Sequence, residues 1–182
     1  MAVYSLEVAV KVMMTPLLVV TLAMAPITAQ TTPSIEGVWR LVELTITDSP
    51  AGRQDPFGAF IAGTHTSLQP DLMIFTRRHY SRTTDTAAQP RPTAGYKIPG
   101  KPTVEELQAE WGPFVANAGT YEVSGTTLTL RAIVAKNPRA QNTNNFTRLA
   151  IKLDGNSLWL TPVGNEAGQI PNPVTGKYVR VE

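Results

Sequence analysis

Short runs of β-branched and aliphatic residues recur along the chain after residue 37, and Gly, Pro, Asn and Asp punctuate them. Within several runs apolar and polar positions alternate, the period of a half-buried strand. Val38 to Thr47, led by Trp39, Leu41 and Val42, predicts a long first strand, which Asp48-Ser49-Pro50-Ala51-Gly52 breaks. Residues 53–67, with Asp55-Pro56, Gly58 and Gly63, read as a loop with room for a short helical turn. Leu72-Met73-Ile74-Phe75-Thr76 and Tyr80 to Thr84 predict a hairpin that turns through Arg77-Arg78-His79. Residues 86–103 hold four prolines and form the longest irregular stretch.

One segment carries helical signals. Thr103 can cap it, Glu105 and Glu106 complement the positive end of its dipole, and Glu106 stands at the capping-box position. Leu107, Trp111 and Phe114 supply an apolar face, and Gly112-Pro113 ends or kinks the helix. Beyond it a meander is expected: Gly119 to Val123, Thr127 to Ala135, Phe146 to Leu153, Ser157 to Pro162 and Lys177 to Val181. Ser124-Gly125 and Asp154-Gly155 mark its tight turns. Such strands expose edges, and closing the sheet removes them. The expected fold is all-β, an antiparallel up-and-down barrel of about eight strands with one short helix.

The stretch before the first strand has another character. Met13 to Ala29 is an apolar run preceded by Lys11 and closed by small residues, the order of a secretory signal peptide with cleavage after Ala29, an uncleaved N-terminal anchor being the alternative. The uninterrupted apolar part, Leu17 to Ala25, is shorter than the roughly 20 residues a spanning helix needs. Glu7 is unusual ahead of such a run, so translation starting at Met13 or Met14 fits the pattern. The expected organisation is a leader over 1–29 and one domain over 30–182, secreted or periplasmic, with no stable membrane insertion once the leader is gone.

Composition narrows the chemistry. The formal charge is +2 and no dense block of Lys or Arg appears, which argues against nucleic-acid binding. There is no cysteine, which excludes disulfides, thiolate metal sites and a Cys nucleophile. His65 and His79 are the only histidines and show no metal-ligand spacing, and no Gly-x-Ser-x-Gly elbow marks a nucleophile. No metal and no cofactor is implied. Asp71 and Glu122 are acids near the hairpin and near Tyr121, with Glu122 expected to face outward. Arg77, Arg78, His79, Tyr80 and Arg82 cluster at one hairpin, either as a solvated turn or as a hold for an anionic group. Asn145-Phe146-Thr147 spells a glycosylation sequon.

Several ordered segments carry a family resemblance: Gly37-Val38-Trp39-Arg40-Leu41-Val42, Leu72-Met73-Ile74-Phe75-Thr76, and the join Phe114 to Val123. Arg148 to Leu158 and Tyr178-Val179-Arg180-Val181 complete the set. Together they resemble the lipocalin-like domain proteins of bacteria and fungi, over residues 35 to 182. The resemblance implies that Trp39 plugs the closed end of a barrel and that Arg180 lies across it, both as structural residues. The Pro-rich insertion at 86–102 and the loop at 163–174 depart from the family pattern.

The resemblance further implies a binding module that holds a small hydrophobic or aromatic molecule. Cavity candidates are Leu41, Phe75, Tyr80, Arg82, Trp111, Tyr121, Leu130, Leu149 and Leu160. The alternatives are an isomerase- or cyclase-type enzyme using the same cavity, and a secreted structural domain with a filled interior. A purely aliphatic lumen favours binding, whereas acidic or phenolic groups at an open mouth favour catalysis. The expected state is a monomer or weak homodimer.

Overall fold

A computed structural model of the 182-residue chain describes residues 34–47, 63–66, 68–87, 89–92 and 95–182. The leader expected over 1–29, with its cleavage point, and residues 53–62 and 67 of the loop expected over 53–67 lie outside the described residues, while Gly63–His65 of that loop form a short strand instead.

The strands are β1 (Gly37–Ile46), β2 (Gly63–His65), β3 (Asp71–Phe75), β4 (His79–Asp85), β5 (Phe114–Ser124), β6 (Thr127–Ala135), β7 (Thr147–Asp154), β8 (Ser157–Asn165), β9 (Gly168–Gln169) and β10 (Val174–Arg180). Every pairing is antiparallel. Eight strands follow the order β1-β3-β4-β5-β6-β7-β8-β10, and β10 returns to β1, so the sheet closes. β2 and β9 are short additions on β1 and β8. The closed antiparallel barrel read from the sequence is the one observed.

Closure fixes which side chains face inward. On β1 the buried residues are Trp39 and Leu41, then Leu44 and Ile46. The step of three falls where the β1–β10 register shifts between Leu41 and Glu43, so a bulge resets the two-residue alternation and keeps apolar side chains inside. Inward positions of β3, β6, β7, β8 and β10 supply Met73, Phe75, Leu128, Leu130, Leu149, Leu158, Leu160 and Tyr178 to one core.

The two ends of the barrel differ. On the Trp39 side the connections are tight: residues 76–78, 125–126 and 155–156. Gly155 takes φ +54 in its two-residue turn, a conformation that costs a residue without Cβ little. The opposite end carries the long connections, among them residues 86–113 and 136–146.

Helix α1 (Val104–Trp111) lies in the first of these, with Thr103 as N-cap and Glu106 closing a capping box. None of its residues is buried. The expectation that Phe114 extends the helical face is corrected, because Phe114 opens β5 opposite Asp85. Val123 is exposed near the end of β5. The loop expected over 163–174 is shorter, since Val163 to Asn165 continue β8 and Gly168–Gln169 form β9.

Candidate functional site

At the end with tight turns Trp39 is fully buried, and its indole Nε1 donates to Ile35 O at 2.8 Å. The Arg180 guanidinium sits 4.2 Å above the indole centroid. Its Nη2 donates to Ser34 O at 2.9 Å and its Nη1 to Glu36 O. Trp39 and Arg180 are register partners on β1 and β10, so the seam of the barrel brings them together. Stacking of this kind contributes about 0.5–2 kcal/mol. Gly37 makes the arrangement fit: a Cβ there would strike the Arg180 guanidinium and Glu182 O, and φ is +136.

A tryptophan thus seals one end of an eight-stranded antiparallel meander. The fold is lipocalin-like. No protein-family model matches the chain, and no curated protein matches it. A solved structure described as a lipocalin-like protein from Bacteroides uniformis is similar over 80% of this chain and 96% of that one, at 11% identity and a TM-score of 0.39.

The interior of this lipocalin-like barrel is hollow toward the end with long connections. One cavity of about 220 Å³ is lined by Met73, Tyr80, Arg82, Leu130, Leu149, Leu160 and Tyr178, with Asn117, Phe146 and Glu166 among its other walls. A second, of about 310 Å³, shares Arg82, Leu149, Leu160, Pro162 and Tyr178 with the first and adds Leu44, Thr86, Val115 and Val174. The shared walls make them two lobes of one lumen.

Tyr80, Arg82, Leu130, Leu149 and Leu160 meet around the cavity. Leu41 and Phe75 are buried in the core and do not line either lobe. Tyr121 is a correction: its hydroxyl donates to Thr76 O at 2.7 Å and its ring packs edge-on against Phe75 at 5.1 Å, at the sealed end. Trp111 is another. It is 48% exposed on α1 and meets Phe114 edge-on at 6.2 Å, outside the lumen. The hairpin cluster is split by the alternation of β4: Arg77, Arg78 and His79 are exposed at the sealed end, whereas Tyr80 and Arg82 turn inward.

Met73 and Tyr178 line the lumen and Thr84 is buried beside it, none of them singled out from the sequence, whereas Asp71, also buried, was named only as an acid near the hairpin. Parity held the signal for two of them: Met73 follows from Phe75, and Tyr178 from Arg180. Asp71 and Thr84 become visible only when register sets them opposite each other. Thr84 Oγ1 donates to Asp71 Oδ2 at 2.6 Å, and both residues are buried. Burial pushes the Asp71 carboxyl above its usual range, against the lowering by Arg82 and by the Thr84 hydrogen bond. Burial also pushes the Tyr80 phenol up to about 12, with Arg82 opposing. Tyr178 is raised as well, by burial first, with Arg82 lowering and Asp71 raising. Among the described residues no group of three His, Asp or Glu gathers to hold a metal.

Proposed function

We propose that this protein is an exported small-molecule-binding protein whose lumen holds an apolar or aromatic ligand. The observation that carries the reading is the hollow: two lobes of about 220 and 310 Å³ that share Leu149, Leu160 and Tyr178 and lie inside a barrel sealed at its other end. Ligand pockets run to about 300–1,000 Å³, so the occupant is small. Apolar walls supply affinity and a few polar groups supply orientation.

Native mass spectrometry of protein purified from its own host tests the reading. A co-purifying mass lost on denaturation supports it. A clean apo mass, together with no emission gain from N-phenyl-1-naphthylamine, overturns it. Export rests on the leader pattern at Met13 to Ala29. N-terminal sequencing of exported protein is expected to begin near Gln30, and recovery of an intact Met13 refutes cleavage.

An isomerase or cyclase reading draws on one observation: the lumen is not purely aliphatic, since Tyr80 and Tyr178 line it. Both phenols are held neutral by burial, so neither is a ready base. Asp71 has no exposed side-chain surface from which to reach a ligand. Binding without turnover is the better fit. Conversion of the recovered ligand by wild type but not by Tyr178→Phe, followed by liquid chromatography and mass spectrometry, would reverse that preference.

A further inference from the structure

The lumen wall is mostly apolar, and its main charged feature is Arg82. This side chain contributes to both lobes. Its Nε donates to Thr84 Oγ1 at 2.9 Å, and Thr84 Oγ1 in turn donates to Asp71 Oδ2 at 2.6 Å. The inner edge of the guanidinium is thus pinned.

The outer edge is not. Arg82 Nη2 stands 4.0 Å from Asp71 Oδ2, beyond hydrogen-bond range. Neither terminal nitrogen of Arg82 makes a hydrogen bond among the described residues. Asp71 Oδ1 is buried and also lacks a hydrogen-bond partner among them. Burial pushes the Asp71 carboxyl above its usual range while Arg82 lowers it, and the two groups meet only at 4.0 Å. Two neutral phenols, Tyr80 and Tyr178, lie within the electrostatic reach of Arg82 and line the same lobe. Exposed Glu166 also contributes to that lobe, from the loop end where solvent screens it.

We propose that this corner is a head-group site for an organic anion, a carboxylate or sulfonate on an apolar body, with Arg82 as its cationic contact. The inference rests on the reading of the lumen as a ligand cavity and adds the charge of the occupant. A guanidinium presents a planar fork that matches the paired oxygens of such a head, and Tyr80 and Tyr178 bring hydroxyl donors to the same lobe. A neutral ligand would leave the fork unpaired at a site of low dielectric, and a cationic one would be repelled.

Two probes with the same ring system separate charge from apolar fit: neutral N-phenyl-1-naphthylamine and anionic 1-anilinonaphthalene-8-sulfonate. Both are titrated into the exported protein at neutral pH, and decanoate is used to displace them. The sulfonate is expected to bind at least about tenfold more tightly than the amine, the scale of one charge-assisted hydrogen bond. Arg82→Gln removes that advantage, so that in the variant the sulfonate binds no more tightly than the amine. Should that variant fail to fold, Thr84→Val, which frees Nε, weakens the sulfonate several-fold and spares the amine. Equal binding of the two probes, or a sulfonate advantage that survives Arg82→Gln or, in its place, Thr84→Val, overturns the head-group site while lumen binding stands. Binding of neither probe overturns both readings together.

Discussion

At Asp71, Tyr80 and Tyr178 burial weighs on the charged form, and this links stability to pH. The folded pKa of each is raised, so as pH climbs the unfolded chain releases its proton first. The Asp71 contribution is fully present below its ordinary value of 3.8 and is lost as pH rises through the raised one. Denaturant unfolding across acid to neutral pH is expected to show that decline, and Asp71→Asn to flatten it. The phenol contributions are intact below pH 10.0 and fall away above it, toward about 12 for Tyr80. In an alkaline titration followed by tyrosinate absorbance, those two tyrosines should ionise after the others, and late in step with unfolding. At Gly37, substitution by Ala meets both the positive φ and the Arg180 guanidinium. Equilibrium unfolding should register a loss of about 1–3 kcal/mol, the range for overpacked sites. These residues also mark what was legible. Trp39 and Leu41 were readable because alternation in an apolar run points one way. Asp71 and Thr84 were not, because a buried acid and its partner 13 residues away look like surface residues until register joins them.

Among the elements, α1 owes its place to side chains from elsewhere. Lys136, just past β6, donates through Nζ to Phe114 O at 2.7 Å and to Trp111 O, where the helix ends. Arg91 ties the Pro-rich insertion down, with Nε on Asp85 Oδ2 at 2.6 Å and Nη1 on Glu110 O at 2.9 Å. Its guanidinium also lies 5.0 Å from the Phe114 ring. Lys136→Met is expected to speed amide exchange over 107–112 and to cost about 0.3–1 kcal/mol, the range for a cation at a helix C-terminus. An unchanged exchange profile would show that Lys136 does not hold the helix. The start of the helix was readable from Thr103 and Glu106, whose capping box is local. Its end at Gly112-Pro113 was readable too, but the start of β5 at Phe114 was not, because Ala116, Ala118 and Gly119 have weak strand propensity and are held in β5 by β4 and β6. Trp111 misled for a related reason: an aromatic at helical spacing reads as a core contact, yet no part of this helix is buried.

For the molecule as a whole, a hollow interior is a choice against packing. Filling it should exchange ligand affinity for stability. Ala132 lines the smaller lobe on β6, and Ala132→Phe would occupy part of its roughly 220 Å³. The expected outcome is at least about tenfold weaker N-phenyl-1-naphthylamine binding with a melting temperature equal to or above wild type. Weaker binding with a lower melting temperature would mean that the side chain does not fit the lumen. The cork of Trp39 and Arg180 has one more consequence. If the lumen holds the proposed guest, a vessel corked at one end admits no through-traffic: the guest would leave backwards by the route it entered, and a second could not push it out from behind. Its stay would then depend on the end that carries the long connections.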